Sequence, residues 1–226
     1  MNEQMQISEA YNRFRARGWA PGGQCAIALL SHVTDNSKKI YVTPDYVKDA
    51  QLASSDLFLL RDLYGIQDIQ TPLNQINQAN KISRWSSVLL EILSRNTTNL
   101  CAVQLTPLWS TLAGRHALTN WAKKGDSHPN VLRLTYWKLL EKLTFDGSAE
   151  ELSIPIISYG KPEETLFETK EALKLYPHTC AIVIRDYGIL AWGKTLADVQ
   201  NRVEILEHLC QLQIQDFILF EKANSV

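Results

Sequence analysis

Short apolar runs separated by polar turns alternate along this chain with longer stretches in which apolar residues recur every three or four positions. Ile7, Ala10, Tyr11 and Phe14 have helical spacing, and Ser8 with Glu9 reads as the cap and first turn of that helix. Residues 26–30 and 40–43 are apolar or β-branched runs on either side of a polar turn at 35–39, which predicts a hairpin. Residues 57–63 read as a further strand, and residues 64–82, rich in Asn and Gln, as an irregular connection. Trp85, Val88, Leu89, Ile92 and Leu93 predict a helix, followed by a strand at 100–104 and a helix at 107–120. Next come a strand at 131–134, a helical run at 136–143 and a strand at 154–157. A helix over 161–175 follows, with Pro162, Glu163 and Glu164 suited to its first turn. Residues 181–184 and 189–192 fold back on Arg185-Asp186-Tyr187-Gly188 as buried antiparallel strands. The last helix spans 196–212, with Val199, Val203, Leu206, Leu209 and Cys210 on its apolar face.

This mixture of hairpins and helix-linked strands exceeds what a helical bundle allows, and it predicts an α/β fold with a mostly antiparallel central sheet covered by helices. A chain of 226 residues with 45% hydrophobic content suits one substantial core, read as a single domain over 1–226. A net charge of −1 provides no basic footprint, so nucleic acid is not an expected partner. No apolar run approaches the ~18 residues of a membrane span, and the first residues lack the pattern of a signal peptide. Cys25, Cys101, Cys180 and Cys210 stand singly among apolar residues and read as reduced, buried thiols of a cytoplasmic or nucleocytoplasmic protein.

Several stretches fall in a familiar order and spacing: Gly18-Trp19, Ile40-Tyr41-Val42-Thr43-Pro44, Asp56-Leu57-Phe58, Tyr176-Pro177, Cys180-Ala181 and Gly188 with Trp192-Gly193-Lys194-Thr195. They resemble the class II aldolase/adducin family, most closely its methylthioribulose-1-phosphate dehydratase branch, which serves methionine salvage. The resemblance implies a three-layer αβα sandwich and a zinc held by a His-x-His pair and a later His in the Arg185–Gly188 turn. The corresponding residues here are Leu105, Pro107 and Tyr187 around a retained Thr106, so no metal and no cofactor is expected. The acid/base Glu of the family corresponds to Lys138, a cation where a carboxylate is required. The phosphate loop is reduced to Ala20-Pro21-Gly22-Gly23-Gln24-Cys25, in which Gly22 and Gly23 survive without hydroxyl neighbours. At the second phosphate contact stands Asp45-Tyr46, whose carboxylate would repel the ligand. His32, His116, His128, His178 and His208 show no ligand spacing, and Glu141 reads as a surface residue.

Metal, acid/base group and phosphate cradle are therefore altered together, while the positions that carry the fold persist. The expected function is a non-catalytic interaction or structural subunit; a diverged dehydratase and a small-molecule sensor using Gly22-Gly23 are the alternatives. Trp109, Trp121, Tyr136 and Trp137 could form a contact surface or pack in the core, amid Arg115, Lys138 and Lys142. Association with a protein partner or as a homo-oligomer is expected.

Overall fold

The computed structural model describes residues 2–32, 38–47, 51–63, 66–69, 81–95, 100–120, 130–135, 138–143 and 151–224. Two compact units emerge, Met1–Thr106 with Trp192–Val199, and Pro107–Ala191 with Gln200–Val226. In the first, helix α1 (Glu3–Ala16) buries Ile7, Ala10, Tyr11 and Phe14, the stripe that its spacing predicts. Its cap is Asn2, whose side chain accepts the Gln4 N–H at 3.2 Å. Ser8 lies inside the helix and donates its hydroxyl to the Gln4 carbonyl at 3.1 Å, so the expected start there was too late.

Strands β1 (Ala26–His32), β2 (Lys38–Val42), β3 (Phe58–Leu63) and β4 (Ile66–Ile69) are followed by helix α2 (Ser86–Arg95) and strand β5 (Cys101–Leu105). The strands run in the order β4-β3-β2-β1-β5 and every neighbouring pair is antiparallel. Leu29 faces Tyr41 on one side and Cys101 on the other, which fixes the register of the three inner strands. Beyond the end of β2 the buried Thr43 continues the ladder with its side chain: Oγ1 accepts the Ile27 N–H at 3.0 Å. β4 corrects the irregular reading of 64–82, because Ile66 and Ile69 continue a hairpin on β3 within the polar composition. Residues 64, 65 and 70–80 of that stretch lie outside the described residues.

The second unit holds α3 (Leu108–Asn120), β6 (Val131–Thr135), β7 (Glu151–Ile157), α4 (Pro162–Leu175), β8 (Ala181–Ile184), most of β9 (Gly188–Gly193) and of α5 (Leu196–Asn224). The strand order is β9-β8-β7-β6; β7 and β8 are parallel, the other neighbours antiparallel. This is the mixed, mostly antiparallel pattern expected of an α/β fold. α3 packs on β8 closely enough that a Cβ on Gly114 would stand 2.5 Å from Cγ1 of the fully buried Val183. α4 begins at Pro162 with Glu164 accepting the Lys161 N–H at 3.0 Å, as its first turn predicts. α5 runs well past residue 212, where its apolar spacing was expected to stop. The expected helical run at 136–143 is instead a 3-10 helix over Lys138–Lys142, with Tyr136 and Trp137 outside the described residues.

All four cysteines are free and buried, as their apolar surroundings predict. Burial pushes the Cys180 thiol up to about 11 and raises those of Cys25 and Cys210 as well. Such thiols are poor nucleophiles.

Candidate functional site

In the first unit, Pro21–Gly23 forms one 3-10 turn with Gly22 and Gly23 at φ +62° and +78°, a region that L side chains resist. A Cβ on Gly23 would also stand 3.1 Å from the Val47 carbonyl oxygen. The buried Tyr11 donates its hydroxyl to the Gly23 carbonyl at 3.0 Å. The Gly23 and Gln24 amides donate to the Ala20 and Pro21 carbonyls, both at 3.2 Å, and Pro21 has no N–H. Amides bonded inside the turn are not presented to an anion, which a phosphate cradle requires. The two glycines are explained by the turn itself.

Asp45 differs from its expected role. Its carboxylate grips Arg84 through Nε and Nη2, both at 3.1 Å, and accepts the Arg84 N–H at 3.0 Å. Burial pushes this carboxyl up, but the Arg84 guanidinium and amide, helped by Lys81, outweigh burial and hold it below the usual range. The negative charge is balanced locally by Arg84.

β5 carries Gln104 and Leu105 into Thr106. Leu105 is fully buried, and its carbonyl accepts Nε2 of the buried Gln104 at 3.0 Å. The Thr106 amide donates to the Trp19 carbonyl at 2.8 Å, tying this strand end to the Gly18-Trp19 turn.

In the second unit, Pro107 is buried and α3 starts immediately after it. The acceptor at this helix start is Glu207 of α5, a residue that the sequence reading passed over. Its carboxylate takes the Ser110 N–H at 2.6 Å and the Trp109 N–H at 3.0 Å. Burial raises its carboxyl above the usual range, against the opposing pull of the Ser110 and Trp109 amides. The available signal was its spacing: Val199, Val203 and Glu207 stand four apart on one stripe, so an acid sits where an apolar residue belongs.

The β8–β9 turn holds Asp186 at φ +58°, paired with Arg115. The half-buried Tyr187 stacks on Tyr159, centroids 4.5 Å apart and planes 7° from parallel. Arg185 donates its amide to the Ile157 carbonyl at 2.9 Å and Nη2 to Asn130 Oδ1 at 3.3 Å.

Lys138 and Glu141 are exposed, and Trp109 is half-buried. Trp121 and His128, like Tyr136 and Trp137, fall outside the described residues. Among the described residues, no three His, Cys, Asp or Glu side chains form a group that could hold a metal ion.

Residues 5–214 match the family described as Class II Aldolase and Adducin N-terminal domain, and the chain belongs to that family. Over 215 residues it is 27% identical to a protein of Acyrthosiphon pisum named "Probable methylthioribulose-1-phosphate dehydratase", covering 92% of this chain and 85% of that one. A protein of Komagataella phaffii named "Methylthioribulose-1-phosphate dehydratase" is 24% identical over 220 residues, 92% of this chain and 80% of the relative. Among solved structures, a sugar-phosphate aldolase from Thermotoga maritima superposes with a TM-score of 0.67 at 16% identity, covering 96% of each chain. That likeness shows the α/β fold.

The family's zinc does not fit the residues present. Zinc sites use imidazole, thiolate or carboxylate donors. The side chains of Leu105 and Pro107 have no donor atom, and Tyr187 offers one phenol on a ring stacked against Tyr159.

Proposed function

We propose that this chain is a non-catalytic member of the class II aldolase/adducin family, related to the methylthioribulose-1-phosphate dehydratases and acting as an interaction or structural subunit. The observation that carries this reading is chemical: Leu105, Pro107 and Tyr187 stand where the resemblance implies three histidines. No geometry converts an aliphatic side chain or a proline ring into a metal ligand, so Leu105 and Pro107 cannot help hold a metal that would polarise the substrate oxygen. Lys138, exposed on its 3-10 helix, adds no carboxylate in place of the acid/base Glu.

A second reading, methylthioribulose-1-phosphate dehydratase activity, is favoured by the names of the relatives that span most of the chain. Family membership supports the scaffold equally under both readings. The residue types at 105, 107 and 187 are what supports the first reading, because dehydration depends on the groups at the reacting centre.

The test is direct. Purified protein, expressed in zinc-supplemented medium, is expected to hold far less than one zinc per chain by elemental analysis. It is also expected to leave methylthioribulose-1-phosphate unconverted. Stoichiometric zinc with turnover of that substrate would establish the second reading.

A further inference from the structure

β6 is the last strand of its sheet, and the described residues place no strand on its outer side. Its register shows which backbone groups face that side. The Ile156 amide donates to the Asn130 carbonyl at 2.8 Å, so these two residues form a hydrogen-bonded pair of the antiparallel ladder. Such pairs alternate, and Leu132 with Ile154 and Leu134 with Leu152 therefore also bond inward to β7. Val131, Arg133 and Thr135 aim their amides and carbonyls the other way. Pro155, opposite Val131, fits this phase, because its missing N–H falls on a pair that exchanges no bonds.

What meets the outer side is α5. Gln213 donates Nε2 to the Arg133 carbonyl at 2.9 Å, across 80 positions of sequence. A side-chain amide thus stands where the N–H of a further strand would dock. This bond belongs to the part of α5 beyond residue 212, where the helix is lightly held. Ile214 is the last buried residue of α5 among the described residues, while Ile218 and Leu219 are 47% and 65% exposed. Helix ends with few buried apolar contacts open at low cost.

A strand edge left to itself recruits other strands, and proteins prevent this by covering it. We infer that Gln213, with the turn of α5 around it, is a strap over the β6 edge, and that the strand it excludes is β6 of a second copy. The edge's own pattern selects that occupant. About a two-fold axis through Arg133 the outward set is complementary to itself, with Val131 opposite Thr135 and Arg133 opposite its own counterpart. Val131 and Thr135 are β-branched and suit strand pairing. Facing arginines would repel, but Arg133 is ion-paired with Glu151 of the neighbouring β7, so its charge is already balanced. The inference concerns the backbone and holds whether or not the chain is catalytic.

The test compares the full wild-type chain with Gln213→Ala, and takes Gln215→Ala, at an exposed position of the same helix, as the control. Light scattering over a range of micromolar concentrations reads mass. Hydrogen exchange at the Val131, Arg133 and Thr135 amides reads strand pairing. Gln213→Ala is expected to form species of about twice the wild-type mass as concentration rises. Those three amides should exchange about tenfold more slowly in the larger species than after dilution. Thr135→Pro, added to Gln213→Ala, removes an outward amide without breaking a bond to β7, and should restore the wild-type mass. Gln215→Ala should match the wild type throughout. Equal mass and exchange in Gln213→Ala and wild type would overturn the proposal, as would the same association in Gln215→Ala. Larger species whose β6 amides exchange as fast as in the diluted protein would also overturn it, because the contact would then lie elsewhere. That comparison is made on Gln213→Ala alone, so it stands even if the proline variant fails to fold.

Discussion

The carboxylate of Glu207 closes on the Ser110 amide at 2.6 Å, joining α5 to the first turn of α3 across 97 positions of sequence. A helix start leaves its first amides without intrahelical acceptors, and Pro107 and Leu108 have no side chain able to serve. Replacing Glu207 with Ala should therefore cost about 1–3 kcal/mol in urea unfolding, the penalty of buried donors left unpaired. Burial raises this carboxyl, so the folded chain holds its proton to higher pH than the unfolded chain does. Its contribution is full below the ordinary carboxylate value of about 4.3 and declines as pH rises through the folded value. Glu207→Gln, which cannot ionise, should flatten that part of the stability curve. An unchanged pH profile in Glu207→Gln would contradict the assignment.

The Asp45–Arg84 pair should behave in the opposite sense. Its carboxyl is held low, so the stability it contributes is present above about pH 3.9 and is lost as pH falls through the folded value. Both side chains are partly solvated, at 28% and 55% exposure, so Arg84→Ala is expected to cost only about 0.2–1 kcal/mol. Chemical denaturation at low and high salt checks this, and the difference from wild type should shrink at high salt.

Gly114 sets two effects against each other. Alanine is the better helix former by about 0.5–1 kcal/mol. The added methyl, however, would stand 2.5 Å from Val183, and overpacking typically costs about 1–3 kcal/mol. Gly114→Ala should be destabilising by calorimetry, and Val183→Ala should relieve it, making the double variant less impaired than the sum of the two.

At the β8–β9 turn, Tyr187→Phe keeps the ring stack on Tyr159 and serves as the reference for it. Tyr187→Ala should cost about 0.5–1.5 kcal/mol beyond lost burial. A double-mutant cycle with Tyr159→Ala isolates that coupling, and a value of zero would show that the stack contributes nothing.

Strong periodicity was readable wherever burial dictated the residue type. Ile7 to Phe14 lie on the buried face of α1, and the Arg185–Gly188 turn joins two fully buried strands. Features set by a single polar contact were not readable. Asn2 caps α1 from five residues before Ile7, the first position of the buried stripe, and Ser8 resembles a cap although it bonds back inside the helix. β4 was hidden by a polar composition, since a strand on an edge takes its order from pairing as much as from burial. α5 was cut short because Gln211, Gln213 and Gln215 mask the continuing spacing of Cys210, Ile214 and Ile218. At the candidate site, the pairing of Asp45 could not be read, because its partner Arg84 is 39 positions away.

The makeup of the first unit constrains how the chain is made. Residues Met1–Thr106 pack with Trp192–Val199, and the Leu100 amide donates to the Gly193 carbonyl at 3.0 Å. During synthesis the chain emerges N-terminus first, at roughly 5–20 residues per second. Strand β5 therefore waits for some 90 further residues before that acceptor leaves the ribosome, an interval of about 5–20 seconds at that pace. Until then the apolar run Cys101-Ala102-Val103 lacks this closing bond, so nascent chains stalled before Trp192 are the species that chaperones should hold.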